Sequence, residues 1–150
     1  MLTDLLRRLA GRPENDAPLP AEDQRIAVAA LLVIAAHADH HYADIERVHI
    51  ERALTDRYGL NPEAAAALRA QGEAAEQASV DLYRFTSLVK AGVPLEERAA
   101  IIEAMWRVIL ADAEREPHEE QLMRRVTDLL GVDPREGIAA RSRAQAKLST

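Results

Sequence analysis

Hydrophobic residues recur along most of the chain at the three- and four-residue spacing that is typical of helices. This spacing collects apolar side chains on one helix face and predicts an all-α fold. No segment has the pattern of a strand. We predict a single globular bundle of about seven helices, over the approximate ranges 21–38, 44–58, 62–77, 79–91, 94–113, 117–130 and 133–147.

Two of the predicted helices are apolar on nearly every side, over residues 26–36 and 101–110. A helix with this pattern is normally surrounded by other helices, so we predict that both are central. In the helix that starts near residue 44, we expect four side chains to face the core: Ile45, Val48, Ala53 and Leu54.

The first ten residues have a separate amphipathic pattern, with one apolar stripe formed by Leu2, Leu5, Leu6 and Leu9. Gly11 ends this pattern, and a proline-rich linker continues to Pro20. We therefore divide the chain into an N-terminal segment with its linker, residues 1–20, and a helical domain, residues 21–150. A helix this short is marginal in water unless it docks on another surface. Its own domain is the favoured surface, and a membrane or a partner protein is the alternative.

Composition narrows the class of protein further. The chain has 150 residues, 48% of them hydrophobic and only 3% aromatic, and it has no cysteine. This length fits one domain, and the lack of cysteine excludes disulfides and thiolate chemistry. The longest apolar run is too short to span a bilayer, and no signal peptide is visible, so we expect a cytoplasmic protein, with membrane association as the alternative. The net charge of −6 argues against nucleic acid as a partner.

An acidic turn occurs twice, each time between an apolar helix and the next helix. The first copy contains Asp39 and Glu46, and the second contains Asp112 and Glu119 at the same spacing. The flanking sequence repeats as well: Arg25 corresponds to Arg98, and Tyr58-Gly59-Leu60 corresponds to Leu130-Gly131-Val132. The chain is therefore predicted to contain two pseudo-repeated helix–acidic turn–helix units.

These turns bring carboxylates together, and two interpretations are open. Oxygen ligands of this kind suit a hard divalent cation, with Asp39, Glu46, Asp112 and Glu119 as candidate ligands and Asp44 and Glu116 as supports. In the other interpretation, the glutamates are helix-start acids and the aspartates are turn caps, since acidic residues are favourable at helix N-termini.

Other sites have less support in the sequence. Neither turn has the ligand spacing of an EF-hand. Four histidines cluster near the first turn, but without a fixed ligand geometry we interpret them as solvated: His37, His40, His41 and His49. No phosphate-binding loop, nucleophile elbow or pair of Glu-x-x-His motifs is present, so we do not expect an enzyme.

The paired turns resemble the tellurite-resistance protein TerB family, in which the pattern Ala-Asp-Gly-x-Ile-x-x-x-Glu appears near both ends of an all-helical domain. The resemblance covers about residues 21–132. This chain departs from the pattern at the turn glycine, which is His40 in the first copy and Ala113 in the second. The resemblance implies a metal-associated or metal-sensing role through an acidic surface, in stress or metal (tellurite-type) resistance.

We therefore expect a non-enzymatic TerB-like domain that binds a divalent metal ion weakly through its acidic turns. The alternative is a scaffold without metal, which recruits an unidentified protein partner or contacts a membrane peripherally. That alternative depends on the leucine stripe formed by Leu2, Leu5, Leu6 and Leu9.

Overall fold

The computed structural model describes residues 21–37, 44–78, 81–111 and 117–148. Within these ranges the chain forms helices and no strand, which confirms the all-α prediction. The seven helices are α1 (Ala21–Ala36), α2 (Asp44–Tyr58), α3 (Pro62–Gln77), α4 (Leu82–Gly92), α5 (Leu95–Leu110), α6 (Pro117–Leu129) and α7 (Pro134–Leu148). The N-terminal segment, with its leucine stripe, lies outside the described residues.

Local capping signals fix where several helices begin. The Asn61 side chain accepts a hydrogen bond from the backbone N–H of Ala64 at 2.8 Å, and Pro62 occupies the first turn of α3. The Asp81 side chain accepts one from the backbone N–H of Arg84 at 2.9 Å and starts α4. These side chains satisfy backbone donors that a helix start leaves without intrahelical partners.

The second helix of each repeat unit is followed by a glycine with positive φ. Gly59 follows α2 with a φ of +66°, and Gly131 follows α6 with a φ of +70°. Glycine reaches this left-handed region without the steric cost that a Cβ atom imposes. The chain can therefore leave both helices by the same kind of turn, as the sequence repeat predicts.

Helices α1 and α5 lie at the centre of the bundle. Helix α1 packs against α2, α3, α4 and α5, and helix α5 also packs against α6 and α7. Residues 26–33 of α1 are fully buried, which is the expected result for a helix that is apolar on every side. The prediction of two central helices is confirmed.

Helices α1 and α3 have the most extensive contact of any pair in the described residues. A Cβ atom placed on Gly72 of α3 would lie 2.7 Å from the Cβ of Ala29 and 2.9 Å from the backbone nitrogen of Ala30. Glycine and alanine at this crossing allow the two helix backbones to approach closely. Gly72 of α3 and the alanines of α1 that face it thus allow the two helices to pack closely.

The predicted inward face of α2 is wrong for two residues. Ile45 is 52% exposed and Val48 is 46% exposed, whereas Glu46 is buried with Ile50 and the two inward residues that were predicted correctly, Ala53 and Leu54. The buried residues recur at helical spacing, and Ile45 and Val48 lie on the other side of α2. The inward position in the first turn belongs to a glutamate instead of an apolar residue.

Candidate functional site

Two glutamates at equivalent positions of the repeat are buried. Glu46 lies in the first turn of α2 and Glu119 in the first turn of α6, and each is only 3% exposed. The Oε2 atom of Glu119 has essentially no contact with solvent. Glutamate is rarely buried to this extent in proteins unless its charge is compensated. The two acidic turns therefore each contribute a carboxylate to the protein interior.

The burial of these two residues distinguishes them from other glutamates at helix starts. An acidic side chain can interact favourably with a helix N-terminus while remaining in solvent. This is the arrangement of five first-turn glutamates elsewhere in the chain, all exposed: Glu63, Glu96, Glu97, Glu120 and Glu136. Preference for a helix start therefore explains why Glu46 and Glu119 are acidic, but it does not explain why they are buried.

The remaining candidate ligands are placed differently. The Asp44 side chain is 97% exposed and lies 3.5 Å from Arg47, so it faces solvent while Glu46 faces the core. Asp39, Asp112 and Glu116 lie outside the described residues. Within the described ranges, no three acidic or histidine side chains come together as a metal-binding group. Each predicted site includes residues beyond those ranges.

Each repeat unit has an arginine at an equivalent position that contacts the end of its second helix. The Arg25 guanidinium lies 4.6 Å from the centre of the Tyr58 ring, at the end of α2. The Arg98 guanidinium donates a hydrogen bond to the backbone carbonyl of Leu130, at the end of α6, at 3.0 Å. Each arginine thus reaches the residue that precedes the positive-φ glycine. The repeat thus places an arginine against the end of the second helix in both units, through a different interaction in each.

A network of charged side chains joins α2 to α3 beside the first acidic turn. Arg69 donates to Glu51 at 2.6 Å and to Glu73 at 2.8 Å, and Arg47 lies 3.7 Å from Glu73. Burial disfavours the charge of Arg69, but the hydrogen bonds to the two glutamates outweigh this effect and raise its pKa. Periodicity did not indicate this network, because periodicity describes one helix at a time and the network joins two helices.

Of the clustered histidines, the structure describes two. The Nδ1 atom of His37, just after α1, lies 3.6 Å from a carboxylate oxygen of Glu76. His49 on α2 is partly buried, and burial together with the nearby charges of Arg52 and Arg107 lowers its pKa. His40 and His41 lie outside the described residues. The two described histidines have different surroundings, and no metal-binding group includes them within the described ranges.

A groove between α5, α6 and α7 was not predicted from the sequence. Its volume is about 470 Å³, and its apolar lining includes Trp106, Met123 and Val132. The Arg141 guanidinium lies 4.4 Å from the centre of the Trp106 ring and 3.4 Å from Glu120. The volume is within the range of clefts that bind ligands in proteins. The only sequence signal was the presence of a single tryptophan.

Comparison with known proteins confirms the family resemblance seen in the sequence. A family model described as tellurite resistance protein TerB matches residues 25–142, which is most of the chain. No curated protein and no solved structure matches the sequence. None of the helices in the described ranges combines the length and the apolar character needed to cross a membrane.

Proposed function

The chain belongs to the TerB family, and from this premise we propose that it is a non-enzymatic cation-binding protein of tellurite-type resistance. The proposed ligands are the carboxylates of its two acidic turns. One observation carries the proposal: Glu46 and Glu119, one from each repeat unit, are both buried. In each unit, the partner carboxylate is the aspartate seven residues earlier, Asp39 or Asp112.

The donor atoms determine the class of cation. The proposed ligands are all carboxylate oxygens, which suit hard cations such as Ca²⁺, Mg²⁺ and Mn²⁺. No cysteine is present to favour a softer metal. The donor set therefore fits a hard divalent cation better than Zn²⁺ or Cu⁺. When bound, such an ion would supply positive charge to the buried carboxylates.

The energetic argument concerns desolvation. Moving a carboxylate out of water is costly unless a positive charge or hydrogen bonds replace the lost hydration. A cation shared by the turn aspartate and the buried glutamate would contribute to that compensation in each unit. Asp44 faces solvent and is paired with Arg47, so we assign it no direct ligand role in this proposal.

The test is calorimetric titration of metal-stripped protein with Ca²⁺, Mg²⁺, Mn²⁺ and Zn²⁺. We expect saturable heat with at least one hard cation in the natural chain. We expect that heat to be lost in the double variants Asp39→Asn/Asp112→Asn and Glu46→Gln/Glu119→Gln, because each removes a charged ligand from both turns.

The matched control is Glu63→Gln/Glu136→Gln. These two glutamates are also in first helical turns, but both are exposed. This variant changes the net charge equally and should retain the heat of binding. A flat titration of the natural chain, or equal loss of heat in the control, would contradict cation binding at the turns.

A further inference from the structure

The groove between α5, α6 and α7 is apolar inside and charged at its rim. Trp106, Met123 and Val132 contribute buried apolar surface, while Ile138 of α7 is 68% exposed beside them. An isoleucine exposed next to an apolar groove is a favourable contact for another apolar surface. The groove therefore has the chemistry of a helix-binding site, in which an amphipathic helix lays down its apolar face.

We propose that residues 2–9 of this same chain bind in the groove as an additional helix. Their leucine stripe supplies one apolar face of helical spacing, formed by Leu2, Leu5, Leu6 and Leu9. A helix of this length is marginal by itself, and burial of the stripe against the groove would provide the missing stabilisation.

The linker is long enough for this contact. Residues 11–20 join the segment to α1, and ten extended residues span at most about 33–36 Å. A compact domain of this size has a radius of gyration of about 14 Å, so this length covers a large part of its surface. The segment can therefore reach the groove without any change in the bundle.

Contacts in the described residues place the start of α1 near one end of the groove. Gln24, in the first turn of α1, lies against Gly92 at the end of α4. Arg98, in the first turn of α5, donates to the carbonyl of Leu130, two residues before Val132 in the groove. Helix α5 begins only three residues after Gly92. The linker thus leaves α1 at the end of the bundle where the groove begins.

The natural chain has no cysteine, so introduced pairs give an unambiguous cross-linking test. In the variant Leu6→Cys/Ile138→Cys, we expect a disulfide within one chain under mild oxidation. The control is Leu6→Cys/Val48→Cys, since Val48 of α2 is also exposed. We expect the cross-linked fraction to be several-fold higher for the Ile138 pair. Equal cross-linking of both pairs, or disulfide-linked dimers, would overturn the proposal.

The single tryptophan supplies an independent measurement, because Trp106 lines the groove. In Leu5→Glu/Leu6→Glu, we expect acrylamide to quench Trp106 fluorescence more strongly than in the natural chain. The control Arg7→Gln, on the polar side of the segment, should leave the quenching unchanged. Unchanged quenching in Leu5→Glu/Leu6→Glu, together with leucine-dependent binding of anionic phospholipid vesicles, would instead assign the stripe to a membrane and overturn the proposal.

Discussion

Gly72 lies where the core leaves no room for a Cβ atom on α3. Replacement by alanine would increase the helix propensity of α3, but the new Cβ would meet the backbone and Cβ of Ala29 at 2.7–2.8 Å. Because helix backbones cannot move aside locally, we expect Gly72→Ala to lower the free energy of unfolding by about 1–3 kcal/mol. Urea unfolding followed by circular dichroism would measure this change.

Gly92→Ala is the matched control for this prediction. The three atoms nearest to a Cβ at Gly92 all belong to the end of the Gln24 side chain, which is flexible. We expect a clearly smaller loss of stability. If the two variants were equally stable, close approach of α1 and α3 would not be what requires glycine at position 72.

The sequence was sufficient to predict which residues of the two acidic turns are equivalent, but not which of their side chains are buried. The repeat identified Glu46 and Glu119 as equivalent, because matching letters recur in the sequence. Periodicity assumes that buried positions are apolar, so it assigned Ile45 and Val48 to the core in place of Glu46. A buried carboxylate becomes visible only when the packing around it is known.

At the scale of helices, the extent of each element could be predicted well. Signals for starts and ends are local, as Asn61-Pro62 before α3 and Gly59 after α2 illustrate. They act through hydrogen bonds and backbone angles within a few residues of the helix terminus. Rotation of a helix about its axis depends instead on its neighbours, and this is the level at which the prediction for α2 failed.

The two equivalent arginines provide a prediction about helix ends. Arg98 donates to three backbone carbonyls, those of Lys90, Val93 and Leu130, at 3.0–3.3 Å. A lysine cannot reproduce this planar set of donors. We therefore expect Arg98→Lys to lower the free energy of unfolding by about 1–2 kcal/mol, because carbonyls near the ends of α4 and α6 would lose a charged partner. Thermal and urea unfolding would measure the loss.

The variant Arg25→Lys tests whether lysine can replace the equivalent arginine of the first unit at a lower cost in stability. Arg25 lies over the Tyr58 ring, and a lysine ammonium can also interact with an aromatic face. We expect a smaller effect than for Arg98→Lys. A larger loss at position 25 would contradict the assignment of carbonyl hydrogen bonding as the distinctive role of Arg98.

For the whole molecule, Glu103 links stability to pH. This buried residue of α5 accepts a hydrogen bond from Arg143 of α7 at 2.7 Å and another from Lys147. Burial acts to raise the pKa of Glu103, but the two hydrogen bonds outweigh it, and the pKa is lowered. The pKa of Glu103 is lower in the folded state than in the unfolded state. The stabilisation is therefore fully present at a pH above the unfolded-state pKa, and it is lost as the pH falls through the folded-state pKa.

We therefore expect Glu103→Gln to lower the free energy of unfolding by about 1 kcal/mol near neutral pH, since both cationic partners are partly exposed. The difference from the natural chain should shrink as the pH approaches about 3. Urea unfolding over this pH range would measure it, with Glu96→Gln, a change of an exposed glutamate on the same helix, as the control. A difference independent of pH would show that the charge of Glu103 is not what stabilises α7 on α5.

The overall class of the fold followed from the sequence, but the surfaces between helices did not. Two all-apolar segments were sufficient to predict that α1 and α5 are central, because such helices are stable only when enclosed. The groove beside Trp106 depends on the relative positions of α5, α6 and α7. No local pattern encodes that arrangement, since it results from contacts between distant parts of the chain.

The enclosure of α1 has a consequence for biosynthesis. Helix α1 is the first of the described helices to be made, yet one of its covering neighbours, α5, begins only at Leu95. At typical translation rates, the intervening stretch of nearly sixty residues takes roughly 3–12 s to synthesise. During that interval, α2, α3 and α4 are the helices within the described ranges that can cover this almost wholly apolar helix. The nascent chain is therefore most exposed to aggregation, and most in need of chaperones, before its second half has left the ribosome.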